Sequence, residues 1–193
     1  MSNFGSTMLT EQDLSNRGFR SLGKNVQISD RASLYGIENI SIGNNVRIDD
    51  FVVIIATGNV QICSFVSIHN FCFLGGKYNI FLKDFVTLAP GVKIFSASDD
   101  YSGEKLTGIT VPSDFTGGKK GEVILEKHVI VGSGSIILPK LRIGIGCSIG
   151  ALSLVKDNLD PWGVYGGVPV KRLKDREKKL LKYEEKLIME FSK

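Results

Sequence analysis

Aliphatic residues recur in this chain at a fixed interval of 20 positions, and this repeat constrains the fold more than any other feature of the sequence. Three interleaved series share the interval, and within each repeat they follow one another by six, eight and six residues. The three series are Ile28, Ile48, Ile68 and Leu88; Leu34, Ile54, Leu74 and Ile94; and Ile42, Ile62 and Leu82. After a break, the step becomes a constant six at Leu125, Val131, Ile137, Ile143, Ile149 and Val155.

A step of six fits neither the 3.6-residue period of a helix nor the two-residue period of a single strand. It fits short strands joined by tight corners, in which each third of a turn contributes one inward aliphatic residue. Residues that turn readily often follow the anchors, as at Gly43, Gly132 and Gly150, and glycine tolerates the positive φ of such a corner. The repeat therefore predicts an all-β solenoid with a triangular cross-section, and the eight-residue steps lengthen one side in the first coils.

Two stretches add to the repeat: residues 131–139 read VGSGSIILP and residues 166–171 read GGVPVK. Together with the hexads they resemble the hexapeptide-repeat acyltransferases over residues 25–172. The resemblance implies a left-handed parallel β-helix, a homotrimer with active sites in the clefts between chains, and acetyl-CoA as co-substrate without a metal. Residues 98–103 (SDDYSG), with Pro161 to Gly163, are similar to a subgroup encoded in polysaccharide gene clusters, which acetylates sugars for surface polysaccharide (O-antigen) biosynthesis.

The repeat also divides the chain. Residues 1–24 are expected to form an N-terminal lead-in with a short helix that starts at Glu11 and is capped by Thr10. Residues 25–157 are expected to form the β-helix domain, interrupted by a polar, glycine-rich loop at 96–122 that protrudes from it. Residues 158–193 are expected to form a C-terminal loop and an α-helix. The predicted apolar stripe of that helix is Leu173, Leu180, Leu187 and Ile188.

Charge and composition argue against several other classes. The formal net charge of +4 is confined to residues 171–193, which argues against a nucleic-acid partner. The sequence contains no run of 18 apolar residues, so membrane insertion is not expected. Residues 1–13 lack the pattern of a signal peptide. Cys63, Cys72 and Cys147 stand in apolar runs without a CxxC motif, so we expect buried thiols in a reducing cytoplasm. With only two histidines, one chain cannot supply a three-histidine metal site.

Acetyl transfer from a thioester requires a group that accepts the proton of the attacking nucleophile. Members of the family commonly carry a histidine in the loop that follows the anchor corresponding to Ile94, but here that segment reads FSASDD. His69 is the main candidate to replace it, because it lies at a corner that the stacked coils place beside Ala89. Asp99 stands about where the loop histidine would be, and Asp99 or Asp100 is expected to orient the imidazole or bind the substrate. The alternative for both aspartates is a plain loop turn.

For acetyl-CoA, exposed backbone amides in residues 132–135 and 148–151 are expected to bind the pantetheine arm, since small side chains let the ligand lie close. Lys171 and Arg172, after the GGVP turn, are placed to pair with its phosphates. The expected cofactor-binding residues are Gly132, Ser133, Ser135, Ala151, Gly167, Lys171 and Arg172. Each small residue could also serve corner packing alone.

Three functions remain open: an N-acetyltransferase acting on a nucleotide-linked amino-deoxy sugar, an O-acetyltransferase acting on a sugar hydroxyl, and a non-catalytic β-helix scaffold. A sugar amine exists as its free base near neutral pH, whereas a hydroxyl needs a well-placed base. The missing loop histidine therefore favours the amine, although His69 could restore a base for the hydroxyl. The polar loop and the GGVPVK tail argue against a scaffold.

Overall fold

Three β-sheets form the faces of one solenoid in the computed structural model of the chain, which describes residues 7–191. The first sheet consists of β1 (Ser21–Leu22), β4 (Ile40–Ile42), β7 (Val60–Ile62), β10 (Ile80–Leu82), β13 (Val123–Leu125) and β16 (Leu141–Ile143). The second consists of β2 (Gln27–Ile28), β5 (Arg47–Ile48), β8 (Ser67–Ile68), β11 (Thr87–Leu88), β14 (Ile130–Val131), β17 (Ser148–Ile149), β19 (Gly163–Gly166) and β20 (Lys171–Asp175). The third consists of β3 (Ser33–Tyr35), β6 (Val53–Ala56), β9 (Phe73–Gly76), β12 (Lys93–Phe95), β15 (Ile136–Ile137) and β18 (Leu154–Val155). The predicted β-solenoid is thereby confirmed.

The strands stack in parallel at the spacing that the repeat predicts. In the early coils partners lie one 20-residue period apart, as Ile48 against Ile68, and in the late coils 18 residues apart, as Val131 against Ile149. The anchors of the second sheet's early series are at most 1% exposed; they are Ile28, Ile48, Ile68 and Leu88. Burying one such side chain contributes about 1.5–3 kcal/mol. The predicted register is confirmed, although Leu34, in the first coil, is only partly buried.

Residues 96–122 leave the solenoid between β12 and β13. The ladder continues across this loop without losing register, since Leu88 pairs with Val131. At the root of the loop, the N–H of Gly121 donates a 3.0 Å hydrogen bond to the carbonyl of Ser96. The loop therefore leaves and rejoins a continuous β-helix at one corner, between the third and first sheets.

The corner between the first and second sheets carries a stack of planar side chains. Phe65 and Phe85 stack with ring centroids 4.8 Å apart, and Phe85 stacks on His128 at 5.1 Å. These residues and Trp162 all adopt positive φ, a region that bulky residues rarely occupy. Stacking between coils stabilises this corner. Gly146 fits between His128 and Trp162, where a Cβ atom would lie 2.4 Å from the tryptophan ring.

The C-terminal segment differs from the prediction in one element. Leu173 was expected in the stripe of the terminal helix, but it lies in β20, which pairs antiparallel with β19. That prediction is wrong because β19 extends the second sheet and offers the tail a strand edge on which to satisfy its backbone hydrogen bonds. The sheets accordingly run from Ser21 to Asp175, beyond the 25–157 span assigned from the repeat.

Two helices flank the solenoid. Helix α1 (Glu11–Ser15) has Thr10 as its N-cap, with reciprocal hydrogen bonds to Asp13 that form a capping box. Helix α2 (Leu180–Phe191) lies along the planar stack, where Glu184 bonds His128 at 2.8 Å and Phe191 meets Phe65 edge to face. Within residues 7–191, no helix is both long and apolar enough to cross a membrane.

Candidate active site

His69, on which the catalytic prediction depends, lies at one corner of the solenoid, at the ends of the second-sheet strands. We call it the histidine corner; its stacked residues, one from each coil, are Ser29, Asp49, His69, Ala89, Gly132 and Gly150. The N–H of His69 donates to the carbonyl of Leu88 (3.0 Å), and the N–H of Ala89 donates to the carbonyl of Val131 (2.9 Å). Because each coil is bonded to the next in this way, His69 lies beside Ala89, where the repeat predicted it.

His69 contacts a carboxylate from the preceding coil. Its Nδ1 lies 3.1 Å from Oδ2 of Asp49, and Oδ1 of Asp49 accepts a 2.7 Å hydrogen bond from Nε of Arg47. The His69 side chain is 41% exposed, whereas that of Asp49 is only 18% exposed. No residue between 7 and 191 hydrogen-bonds Nε2 of His69. An imidazole bonded through one nitrogen, with the other nitrogen open, is suited to accept a proton.

Sequence reasoning missed Asp49 and expected Asp99 or Asp100 to orient the imidazole. Neither loop aspartate makes this contact, because Nδ1 of His69 is already occupied by Asp49. The signal was nonetheless present in the sequence: Asp49 precedes His69 by one 20-residue coil, which places the two side chains next to each other at the same corner.

The carboxylate of Asp100 holds the loop together. Its Oδ1 accepts hydrogen bonds from the N–H of Ser102 (2.8 Å) and from the Ser102 hydroxyl (2.6 Å), and its Oδ2 accepts one from the N–H of Lys105 (2.7 Å). The Ser102 hydroxyl bond, followed by the backbone bonds, lowers the pKa of Asp100. This is the loop-turn role that was the alternative for Asp100.

Asp99 differs from Asp100 in being exposed, and it lies at the root of the loop. Its peptide packs against Gly118, where a Cβ atom would lie 2.5 Å from the carbonyl carbon of Asp99. Gly118 has φ +110°, which also favours glycine. The backbone of Asp99 is therefore closely constrained, while the residue as a whole is exposed to solvent.

The residues expected to bind coenzyme A lie on the late coils, but their amides are not all available. The N–H of Gly132 donates to the carbonyl of Ile149 (2.8 Å), and the N–H of Ser135 donates to the carbonyl of Gly132 (3.3 Å). Ser135 is fully buried, and its hydroxyl donates to the carbonyl of Gly150 (2.9 Å). The prediction of exposed amides is wrong at Gly132 and Ser135, because the solenoid uses these groups to join its coils and turns.

Other members of the expected coenzyme A set remain accessible. Ser133 and Ala151 are exposed on adjacent coils at the outer side of the corner. Gly167 is also exposed, has φ +104°, and its N–H donates to the hydroxyl of Ser153 (3.2 Å). These small residues leave room for a ligand against the backbone of the late coils.

The two cations of the tail have different surroundings. Arg172 donates to the hydroxyl of Tyr165 (2.9 Å) and to the carboxylate of Asp175 (2.8 Å), and its guanidinium lies over the Tyr165 ring. These contacts fix Arg172 within the β19–β20 hairpin. Lys171 is exposed one residue earlier.

The cysteines do not form a reactive centre. Cys72 and Cys147 are buried as expected, whereas Cys63 is only partly buried. Burial raises the pKa of Cys72 to about 11 and also raises that of Cys147, so both remain protonated near neutral pH. In the part of the chain that the structure describes, no group of three or more His, Cys, Asp or Glu residues could bind a metal ion.

Comparison with known proteins identifies relatives that span nearly the whole chain. The dTDP-4-amino-4,6-dideoxy-D-glucose acyltransferase of Escherichia coli is 44% identical over 177 residues, which cover 91% of this chain and 92% of that protein. The chain belongs to this acyltransferase family. The structure of AntD, an N-acyltransferase from Bacillus cereus in complex with dTDP and 3-hydroxybutyryl-CoA, has a TM-score of 0.94 and 41% identity, covering 98% of this chain and 100% of that chain.

A wider comparison supports the fold of the acyltransferase. A hexapeptide-repeat acetyltransferase from Vibrio cholerae, in complex with acetyl coenzyme A, has a TM-score of 0.57 and 18% identity over 86% of this chain and 75% of that chain. No protein-family model matches the chain. The prediction of an acyl-CoA-dependent sugar acyltransferase is confirmed, and the scaffold hypothesis is wrong.

Proposed function

We propose that this acyltransferase moves an acyl group from a coenzyme A thioester to the 4-amino group of a dTDP-linked 4-amino-4,6-dideoxy sugar. The observation that carries the proposal is the 44% identity, over 91% of the chain, to an E. coli enzyme named for that sugar nucleotide. The N-acyltransferase AntD, whose structure contains dTDP and an acyl-CoA, supports an amine acceptor rather than a hydroxyl. A role in surface polysaccharide biosynthesis stays a prediction from the sequence.

His69 is the proposed proton acceptor. Attack of the sugar amine on the thioester carbonyl forms a C–N bond, and the nitrogen must then lose a proton. The exposed Nε2 of His69 can accept this proton while Nδ1 remains bonded to Asp49. The C–S bond breaks with its electron pair on sulfur, and the proton carried by Nε2 can then neutralise the thiolate.

Asp99 is proposed to bind the acceptor amine or a hydroxyl of the sugar. The residue is exposed and its backbone is held by the packing of Gly118, so it can present a negative charge at a constrained position. Asp100 has no part in this step, because its oxygens form the loop turn.

The coenzyme A arm is proposed to pass over the small, exposed residues of the late coils: Ser133, Ala151 and Gly167. Lys171 is the proposed phosphate ligand, because it is an exposed ammonium beside that surface. Arg172 shapes the hairpin beneath it through Tyr165 and Asp175.

A homotrimer is proposed because a flat-faced solenoid needs a neighbour to form a cleft for coenzyme A. An exposed apolar surface supports this assembly. Phe51 and Phe71 stack with centroids 5.3 Å apart while 47% and 58% exposed, and Ile55 is 38% exposed on the adjoining third sheet. Light scattering should give three times the chain mass. A monomer mass with full activity would rule out the shared cleft.

The experiment that tests the function measures free thiol released from acetyl-CoA and from 3-hydroxybutyryl-CoA, with mass spectrometry of the sugar product. The acceptor panel consists of dTDP-linked 3-amino and 4-amino 6-deoxy sugars and their hydroxyl counterparts. Thiol release with N-acylation of the 4-amino sugar is expected. Acylation of a hydroxyl sugar alone would contradict the proposal.

His69→Asn tests the base within the same assay. The change keeps size and one hydrogen-bonding group, so coenzyme A binding should persist while kcat falls by about 10²–10⁴-fold. Ser67→Ala, two residues earlier on β8, is the matched control. If His69→Asn leaves kcat unchanged and Asp99→Asn abolishes turnover, then the aspartate is the catalytic group.

A further inference from the structure

The contact between Asp49 and His69 is part of a series of hydrogen bonds that joins three side chains and begins on the coil before His69. Arg47 and Asp49 lie on one coil, and His69 lies at the same corner of the next. Nε of Arg47 donates to Oδ1 of Asp49 at 2.7 Å, and Nδ1 of His69 lies 3.1 Å from Oδ2 of the same carboxylate. Both carboxylate oxygens are thus engaged, one by a permanent cation and one by the imidazole.

This arrangement dictates which nitrogen of a neutral His69 carries the proton. An ionised carboxylate can only accept hydrogen bonds, so the nitrogen that faces Asp49 must be the donor. Nδ1 then holds the hydrogen, and the lone pair is left on Nε2. Nε2 is the nitrogen that no residue between 7 and 191 hydrogen-bonds. The opposite tautomer would set two lone pairs against each other at 3.1 Å and leave no base facing outward.

The position of Asp49 is itself constrained. Its side chain is 18% exposed, and Ile48 directly before it is fully buried in the second-sheet core. The N–H of Asp49 donates to the carbonyl of Ile68, the residue directly before His69. The backbone ladder therefore holds both side chains at one corner without help from the loop.

We propose that Asp49 is a positioning residue, held by Arg47, which fixes His69 in the Nδ1–H tautomer and directs Nε2 at the acceptor amine. The inference rests on the proposed function, in which Nε2 takes the proton as the C–N bond forms and the C–S bond breaks. Asp49 itself gains no proton in this step; it stabilises the imidazolium until the proton passes to the leaving thiolate.

The test uses the full chain with ¹⁵N-labelled histidine. The chain has two histidines, so His69→Asn assigns the signals of His69 by their loss. In the wild type, the ¹⁵N shifts of His69 at a pH where the ring is neutral should report a protonated Nδ1 and an unprotonated Nε2. Asp49→Asn should mix or reverse this pattern, because an amide can donate to Nδ1 as well as accept from it.

The same variants are assayed for thiol release. Asp49→Asn should lower kcat by about 10–100-fold, by analogy with the loss seen when the partner that orients a metal-binding histidine is removed. KM for the acyl-CoA should change less than twofold, and Asp49→Glu, which retains a carboxylate, should recover part of kcat. The matched control is Asp84→Asn, since Asp84 also bonds a residue one coil away, the N–H of Ser64 at 2.8 Å, at a different corner.

A wild-type His69 with its proton on Nε2, or an Asp49→Asn variant with unchanged tautomer and unchanged kcat, overturns the positioning role of Asp49. Failure of the proposed function appears differently. If His69→Asn retains full kcat although the Nδ1–H tautomer is present in the wild type, then His69 is not the base. Thermal unfolding of each variant confirms that any loss of kcat is measured on folded protein.

Discussion

The early coils (residues 21–95) and the late coils (residues 123–166) are built on the same ladder but differ in length. Strands β6 and β9 on the third sheet have four residues each, whereas β15 and β18 have two. The difference accounts for the change in spacing from 20 to 18 residues between stacked partners. Since the anchors remain buried in both halves, the extra residues are accommodated on one face without disturbing the core.

The two halves differ more in what their corners carry. The histidine corner presents Asp49 and His69 in the early coils, but only Gly132 and Gly150 in the late coils. The stacking hydrogen bonds are made by the backbone in either case, so the corner side chains can vary without loss of the ladder. Under the proposed function, the early coils supply the acid–base side chains, and the small residues Ser133 and Ala151 of the late coils leave room for coenzyme A.

The largest expected effect comes from adding a side chain to the late half of the histidine corner, where the stacked residues are glycines. A Cβ atom at Gly132 would lie 2.5 Å from the backbone nitrogen of Ala151, so Gly132→Ala must push two coils apart. We expect a loss of about 1–3 kcal/mol in the free energy of unfolding. The matched change in the early half, Ala89→Gly, should cost only about 0.5–1 kcal/mol through backbone entropy.

Urea unfolding of both variants measures the difference. Equal losses would show that the late corner tolerates side chains as well as the early corner does, and would remove the steric basis of the comparison.

The second prediction concerns the late coils, where Glu184 of helix α2 forms ion pairs with Lys127 and His128. Burial raises the pKa of Glu184, but the hydrogen bonds and charges of Lys127 and His128 outweigh it and hold the pKa below its ordinary 4.5. A carboxyl with a lowered folded pKa stabilises the native state above its unfolded pKa, and this stabilisation is lost as pH falls through the folded value.

Glu184→Gln should therefore lower Tm at pH 7 by about 2–4 °C, the equivalent of about 1 kcal/mol in a chain of this size. The difference from wild type should shrink as pH falls below 4.5. Glu185→Gln, at an exposed neighbouring position, is the control. A difference that stays constant from pH 7 to below the folded pKa would contradict the ionic attachment. Thermal scans in matched buffers make the measurement.

The smallest effect lies at the C-terminal end of α2, where the helix makes an apolar contact with the early coils. Phe191 is 62% exposed and meets Phe65 edge to face at 5.5 Å. Phe191→Ala should cost about 0.5–1 kcal/mol, because such aromatic pairs contribute modestly when partly exposed. Unlike Glu184→Gln, its effect on Tm should not depend on pH or salt. Met189→Ala, exposed on the same helix, should have less effect, and thermal scans at two salt concentrations compare the three variants.

The fold could be predicted from the sequence because one repeating pattern specifies it. Each anchor such as Ile68 must be buried, and the fixed spacing between anchors leaves a single register in which all of them are. Helix α1 was predictable for a local reason, since Thr10 and Asp13 cap each other within four residues. Leu173 was misassigned because its apolar spacing fitted a helix, while the free edge of β19 was invisible in the sequence.

The candidate site was only partly predictable. The repeat placed His69 beside Ala89, because in the second sheet the residue that follows each anchor lies at a corner. The repeat did not reveal that the Asp100 carboxylate would accept a hydrogen bond from Ser102, or that Ser135 would be buried. Loop conformation and hydroxyl direction depend on local hydrogen bonds that have no period.

The sequence by itself determined the solenoid, its register and the position of His69 at a corner. All three follow from the burial of aliphatic residues at fixed intervals. The repeat placed Asp49 one coil before His69, but only the tertiary structure showed that these two side chains make the contact. Asp49, Asp99 and Asp100 are all chemically able to accept from an imidazole, and the choice depends on a distance of 3.1 Å set by the stacking of two coils. A hydrogen bond is a matter of ångströms, and a hydrophobic repeat specifies position only to the nearest residue.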